Sequence, residues 1–542
     1  MRLKLSSLLA AVCMLYGQAF AAPALPAHAD IRDSGFVYCV SGQVNTFNPQ
    51  KVSSGLIVDT LAAQLYDRLL DVDPYTYRLV PELAESWEVL DNGATYRFHL
   101  RNNVPFQTTA WFKPTRNFNA DDVIFTFGRI FNRDHPWHNV NGSSFPYFDS
   151  LQFADSVESV RKLDSHTVEF RLKRPDASFL WHLATHYASV MSAEYAAKLA
   201  QSDRQEMIDR QPVGTGPFKF VEHKKGVSIT LERNDEYWGD TPILDKIIFS
   251  IIPDEMTAYQ AFLQDEVDYL GTGVPSTNTN DFDDNPDYEV YLQLSMNRLY
   301  LAFNFEDEHF SKPEVRKAVA MGVDRQMIYD RVANGVGGVA ETFISPMAED
   351  FADDRYTMPE HNVEQARKLL EQAGYTANAD GYYFSMEFSV FENGNYKEIA
   401  EIIQQNLKEI GIDMRINMMD YAIWTEKVKQ NKEYQMTMSA GYQGPDVSGI
   451  AGRVSTHGSN NFMNFSNARL DECLEEALKT SDHETRKAYY SEVQKIMSEE
   501  MPMAILLDNG VKTPIKKYLS GVPLQVPDKA ASGEFTYTQI NK

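Results

Sequence analysis

The first residues restrict where this chain can fold. A short basic start (Arg2, Lys4) precedes an apolar run from Leu8 to Leu15, and Ala19-Phe20-Ala21 supplies the small-x-small pattern that a signal peptidase cuts. Residues 1–21 are expected to be a signal peptide, with cleavage after Ala21 and folding outside the cytoplasm. The apolar run is shorter than the roughly 20 residues a transmembrane helix needs, and no later stretch reaches that length. Cys13 follows the bulky Val12 inside the apolar run, which argues against a lipidated cysteine.

The remainder of the chain is long and acidic. At 542 residues the chain exceeds what one core usually holds, so two or three domains are expected, and 43% hydrophobic content is ample for packing them. Without Arg2 and Lys4 there are 49 basic and 76 acidic side chains, a net charge of −27. That balance repels nucleic acid and anionic membranes and suits cationic partners, although solubility alone explains it equally well. The charge is uneven. Residues 22–218 carry 18 basic and 23 acidic side chains, and residues 219–542 carry 31 and 53, so two parts with different surfaces are implied.

Beyond Cys13 there are only Cys39 and Cys473, so disulfides do not scaffold a protein of this size. A single bridge between them stays open. Cys473 lies on one face of the helical stretch from Leu470 to Leu478, where a buried free thiol fits.

Strand and helix signals alternate along the chain without repeats. Ser86–Leu90 and Thr95–Leu100 flank the turn Asp91-Asn92-Gly93 and read as a β-hairpin. His166–Leu172 and Val227–Glu232 also alternate as strands. From Pro313 longer helices appear. Asn395 with Glu398 predicts a capping box, followed by Ile399, Ile403, Leu407 and Ile410 on one face and a stop at Gly411. A strand over Met414–Met418, a helix over Tyr421–Lys432 and a strand over Gln435–Ser439 complete an α/β layer with parallel strands.

Catalytic signals are absent. No Walker loop, His-Glu-x-x-His, Cys-x-x-Cys or Gly-x-Ser-x-Gly occurs, and Gly214-Thr215-Gly216-Pro217-Phe218 suits a chain reversal better than a phosphate cradle. Gly335–Ala340 fits the loose dinucleotide fingerprint, but a helix-like segment precedes it and none comes after it. His135-Pro136-Trp137-His138 could hold a metal or a haem edge, yet a surface loop with two solvated histidines explains it better. The acidic pairs Asp121-Asp122 and Glu499-Glu500 read as solvated, because adjacent side chains point apart.

The order of segments is more telling. Pro81-Glu82-Leu83-Ala84-Glu85-Ser86-Trp87-Glu88-Val89, the 91–93 turn, Thr95–Arg101 and Phe118–Thr126 together resemble the signature of the extracellular solute-binding protein family 5, the peptide- and nickel-binding receptors of ABC importers. Val213–Phe218, Tyr300–Asn304, Pro313–Ala318 and Ala366–Tyr375 extend the likeness over nearly the whole mature chain. Up to Phe218 it is carried by Tyr38–Pro49 and points to one branch of the family. Beyond Phe218 it is closer to other peptide-binding members. Relatives of the first part carry a second cysteine where this chain has Val267, so the resemblance implies that Cys39 lacks that partner.

The resemblance implies an α/β, two-lobed periplasmic-binding-protein fold of type II, in the large peptide-binding class, with an extra subdomain in the first lobe. By that pattern residues 31–77, 219–296 and 511–542 form the base of lobe I, 78–218 the extra subdomain and 297–510 lobe II. The hinge is expected near Ser295–Asn304 and Leu507–Lys512, with ligand trapped in the cleft as the lobes close. The expected ligand contacts are Val44, Asn45, Thr46 and Phe47, whose backbone would pair with an extended peptide by β-augmentation. Tyr442 and Gly444 would lie at a side-chain pocket, and Asp446 would pair with the peptide's amino terminus. For these positions a turn held by Asn48-Pro49, ordinary strand packing and a helix cap are the plainer readings. The run from Glu387 to Gly394 contains no cation for a ligand carboxylate, which favours longer or cationic peptides over dipeptides.

The expected function is thus a soluble periplasmic receptor that captures peptides, oligopeptides or cationic antimicrobial peptides among them, and delivers them to a permease in the inner membrane. It is expected to be a monomer and to need no cofactor and no metal. Haem or a nickel chelate is the alternative ligand. An exported hydrolase is the competing class, and it would require a nucleophile, a base and an orienting group converging in the cleft.

Overall fold

The alternation of strand and helix signals builds two packed units joined by two long strands. The computed structural model describes residues 35–52, 57–73, 78–271, 273–444, 446–523 and 534–541. The leader read at residues 1–21 lies outside them.

The first unit centres on a five-stranded sheet in the order Tyr269–Leu270, Gly35–Val40, Lys246–Ile251, Ser228–Arg233 and Phe218–Lys224. The Gly35–Val40 strand runs parallel to both neighbours and shows why the sheet has two buried faces. Phe36, Tyr38 and Val40 enter one cluster, while Val37 and Cys39 enter a smaller one with Ile248, Val267 and Phe282, as the period of two requires. A separate four-stranded sheet, in the order Ala84–Leu90, Thr95–Leu100, Thr167–Leu172 and Val157–Asp164, packs its apolar side chains into that larger cluster. The 86–100 hairpin forms as expected, with Trp87 opposite Phe98, and its turn has positive φ at Asp91, Asn92 and Gly93.

Gly214 and Gly216 serve contact rather than turning. A Cβ on Gly214 would lie 1.9 Å from the carbonyl oxygen of Leu65, and one on Gly216 would lie 2.6 Å from its carbonyl carbon. The segment is a close backbone approach, tied by Gly216 N–H donating to Leu65 O at 3.2 Å.

The second unit is built on a six-stranded mixed sheet in the order Gly338–Val339, Met503–Lys516, Tyr288–Phe303, Met436–Tyr442, Phe384–Phe391 and Ile412–Met419. Phe384–Phe391 is parallel to the strands on either side of it, as the α/β reading requires. Its core runs from Leu299 to Leu507 and includes Ile399, Ile403, Leu407 and Ile410 from the Tyr396–Glu409 helix. That helix stops at Gly411 (φ +87) as expected, but its capping box does not form. Asn395 instead donates its side-chain amide to the carbonyl of Val332, a tertiary partner that local sequence does not reveal.

Tyr288–Phe303 and Met503–Lys516 belong to both units. Ile515 packs in the first core, whereas Leu299–Phe303 and Met503–Leu507 pack in the second. Their antiparallel register slips between Leu294, opposite Gly510, and Arg298, opposite Asp508. Among the described residues no helix is long and apolar enough to cross a membrane.

Candidate functional site: the cleft between the lobes

The slip leaves Ser295, Met296 and Asn297 outside the ladder between the long strands, and they are held by other means. Asn297 N–H donates to Ser295 Oγ at 2.8 Å, Asn509 Nδ2 donates to Asn297 Oδ1 at 3.1 Å, and Gln443 N–H donates to Met296 O at 3.1 Å. The last bond brings in the far end of Met436–Tyr442. Two further strands parallel to it, Phe384–Phe391 and Ile412–Met419, end on the same edge. Loops at the carboxyl ends of parallel strands are where open α/β sheets present their ligand-binding residues. Tyr442, paired with Asn297, and Gly444 thus stand at the junction of the sheet edge and the strand crossing.

The lobes also touch directly. Ala177 N–H, from the first lobe, donates to Leu478 O of the second at 2.8 Å, and Arg78 lies 3.8 Å from Asp350 across the surface. The 176–178 turn that makes the first contact is fixed from within. Tyr96 OH donates to Asp176 O at 2.6 Å, and Ser178 donates from N–H and Oγ to Asp176 Oδ1 at 2.9 and 2.6 Å. Tyr147 OH lies 2.9 Å from His182 Nδ1, and the Tyr147 ring stacks on Tyr187 with centroids 4.1 Å apart. Burial lowers the pKa of His182, which favours its neutral form, and the carboxylates of Asp176 and Asp446 pull the other way.

Two of the expected ligand contacts are committed elsewhere. Asp446 is buried at 4% exposure, and both of its carboxylate oxygens accept from Arg486 Nη2, one of them at 2.9 Å. It also caps the short helix Val447–Ile450, accepting weakly from Ser448 N–H, so the plainer reading describes its geometry. Arg486 is fixed in turn: Nε donates to Ala477 O at 3.2 Å and the guanidinium lies 5.2 Å from the Phe351 ring centre. A ligand ammonium would have to displace a buried arginine that is already hydrogen-bonded.

Phe47 is the second. Its N–H donates to Asp209 O at 2.7 Å, and its carbonyl accepts from Tyr66 OH at 3.0 Å, so the edge expected to pair with a peptide is engaged there. The Phe47 ring and Val44 are buried in the first core, Phe47 packing edge-on against Phe220 at 4.7 Å. Asn45 is exposed and Thr46 half-buried. Asn48 caps the Pro49–Lys51 turn, accepting from Gln50 N–H.

The histidine pair is not a solvated loop. His138 is buried at 8% with Nδ1 2.8 Å from Arg129 O, and it lines a pocket of about 600 Å³ with Ile130, Arg133, Phe148 and Asp149. His135 Nδ1 accepts from Trp137 N–H at 3.1 Å. Each Nδ1 therefore has a backbone partner. The adjacent acids point apart, but only Asp121 is solvated as expected, reaching Lys162; Asp122 is fully buried, bound by Arg116 and closing the capping box with Asn119. Cys39 and Cys473 are both free and buried.

Among the described residues one group of carboxylates, Asp67, Glu82 and Glu534, is close enough to share an ion. Arg68 already answers it, with Nε 3.1 Å from Glu82 and Nη2 2.7 Å from Asp71. Sequence reasoning missed Arg486, Asp176 and His182. Arg486 lies 40 residues from Asp446 within an ordinary helix, and the other two belong to no motif.

Comparison with known proteins agrees with this architecture. The sequence profile of the bacterial extracellular solute-binding proteins, family 5 (middle region), matches residues 78–461. The chain is 49% identical over 510 residues to the peptide transport periplasmic protein SapA of Salmonella typhimurium, covering 93% of this chain and 92% of that one, so the alignment runs through both the less and the more acidic portion. The structure of HbpA2 from Haemophilus parasuis superposes with a TM-score of 0.85 at 25% identity, covering 93% of this chain and 99% of the other. That of a dipeptide-binding protein from Pseudoalteromonas sp. SM9913 in complex with Met-Leu gives 0.73 at 29% identity, with 93% and 100% covered. Two cores joined by a pair of crossing strands, and a profile match over most of the length, have one conclusion: the chain belongs to the bacterial extracellular solute-binding proteins, family 5.

Proposed function

We infer that this protein is an exported, non-catalytic receptor that takes up peptides between its lobes and hands them to an ABC permease. The observation that carries the reading is the pair of long strands whose register breaks at 295–297, beside the carboxyl end of the Met436–Tyr442 strand. Two separate cores joined by two strands can rotate about such a break, and a ligand held at the break feels both lobes. The named ligands and roles of its relatives, a transported peptide and the dipeptide Met-Leu, supply the chemical class. On this reading Asn45, Thr46, Tyr442 and Gly444 face the ligand, Val44 and Phe47 support the loop from beneath, and Asp446 positions the 447–450 turn through Arg486. The protein acts as a monomer in the periplasm.

The test is native mass spectrometry of the mature protein, with calorimetry on the peptides it releases. Peptide adducts that rebind the stripped protein are expected. A tetrapyrrole or metal chelate as the retained species, or no peptide binding after stripping, contradicts the reading.

A further inference from the structure

The closed seam contains two carboxylates whose situations differ. Asp446, on the second lobe, is neutralised by Arg486 through both oxygens. Asp176, on the first lobe, receives only neutral donors, Ser178 N–H and Oγ, and both fall on Oδ1. Oδ2 has no protein partner among the described residues. The residue is half-buried, and the N–H of the next residue makes the bond to Leu478 of the opposite lobe. Its carboxylate is thus carried to the line where the lobes meet.

The surroundings suit a cation. Tyr96, whose hydroxyl donates to the Asp176 carbonyl, and Tyr490 of the second lobe both lie within electrostatic reach of Asp176. Both rings are buried, with the Arg486 guanidinium 5.7 Å from the centre of Tyr490, so what the seam offers an ammonium at Asp176 is charge-assisted hydrogen bonding in surroundings of low polarity. The neighbouring guanidinium of Arg486 is held by Asp446 and by the carbonyl of Ala477, so it does not compete for Asp176. Charge at the seam is therefore net negative, and it is Asp176 that has an open oxygen.

We propose that Asp176 is a specificity-determining residue that holds a primary ammonium of the ligand, either its amino terminus or a lysine side chain, at the lobe seam. The assignment rests on the reading of the protein as a peptide receptor. It differs from the expectation drawn from resemblance, which placed this role on Asp446.

Asp176→Asn makes a clean test, because the amide oxygen can keep the two bonds from Ser178 while the charge is removed. Three synthetic hexapeptides of otherwise equal sequence serve as probes by calorimetry: one with a free amino terminus and no lysine, one N-acetylated with a lysine, and one N-acetylated without lysine. The variant is expected to bind at least one ammonium-bearing peptide ten-fold or more weakly, with binding of the third unchanged. Loss confined to the first identifies the amino terminus, and loss confined to the second identifies lysine. Unchanged affinity for both, or an equal loss for all three, overturns the assignment while leaving the peptide reading intact. Failure of all three to bind the unsubstituted protein overturns the peptide reading itself. Thermal melting of the variant within a few degrees of the parent checks that the 176–178 turn survives.

Discussion

Arg298 donates from Nε to Asp508 Oδ1 at 2.5 Å, joining the two long strands at the first paired position after their register slips. Arg298 is fully buried and Asp508 is 4% exposed; Nη2 of the guanidinium donates to Thr342 O at 2.9 Å, and Nη1 has no hydrogen-bond partner among the described residues. With so little water around the pair, its mutual attraction is largely offset by desolvation, and its weight shows only when one member is removed and the other stays buried.

Asp508→Ala leaves a buried guanidinium without its counter-charge and is expected to destabilise the fold by about 3–5 kcal/mol. The double variant Arg298→Met with Asp508→Leu removes both charges and is expected to recover most of that loss. Urea denaturation measures both. Equal losses in the single and double variants would show that the pair does not act as a unit.

Glu534 gives the chain an unusual dependence on pH. Burial, with Asp67 and Asp71 nearby, pushes its carboxyl up to about 8 against the pull of Arg68, and Glu82 in the same cluster is raised as well. Thr536 Oγ1 donates to Glu534 at 3.4 Å, Tyr237 and Trp238 donate to Asp67, and His186 lies 3.2 Å from Arg68 Nη1. A carboxyl protonated in the folded chain and ionised in the unfolded one takes up a proton on folding. Its contribution is fully present below its unfolded pKa, about 4.5, and is lost as pH rises toward 8. Stability is expected to fall by on the order of 3–4 kcal/mol between pH 5 and 8 from this source, and Glu534→Gln is expected to flatten that slope. Parallel pH profiles for parent and variant would contradict it.

Gly214→Ala places a methyl group 1.9 Å from the Leu65 carbonyl oxygen and 2.7 Å from the Tyr66 ring. Backbone has to move, so a loss of about 3 kcal/mol or more is expected, at the upper end of what overpacking costs. A melting temperature equal to the parent's would show that the approach is not close.

The thiols should be silent until the protein unfolds. Burial pushes Cys39 up to about 12 and raises Cys473, so neither presents a thiolate near neutrality. The mature protein, without reductant, is expected to show no reaction with a disulfide reagent when native and two reactive thiols in guanidinium. No thiols under denaturing conditions would mean a bridge.

What the sequence made legible was local or repeated. Asp91-Asn92-Gly93 announced the hairpin because those residues tolerate the positive φ that its turn demands, and Gly411 ended its helix for the same reason. The periodic isoleucines and leucine of 399–410 announced a buried face. Partners far along the chain were not legible. Asn395 looked like a cap but satisfies Val332, His138 looked solvated but lies on the Arg129 carbonyl, and nothing near Asp446 signalled that Arg486 would take its carboxylate. Fine features of a cleft depend on such distant pairs, whereas its frame depends on periodicity and turns.

The most direct measurement is the distance between the lobes, monitored by single-pair fluorescence transfer between dyes on exposed positions 164 and 408 as peptide is added to stripped protein. Two populations in the unliganded protein, or one open one, are predicted to converge on a single short-distance state as peptide saturates. A distance distribution that stays fixed while calorimetry records bound peptide would contradict closure about the 295–297 break.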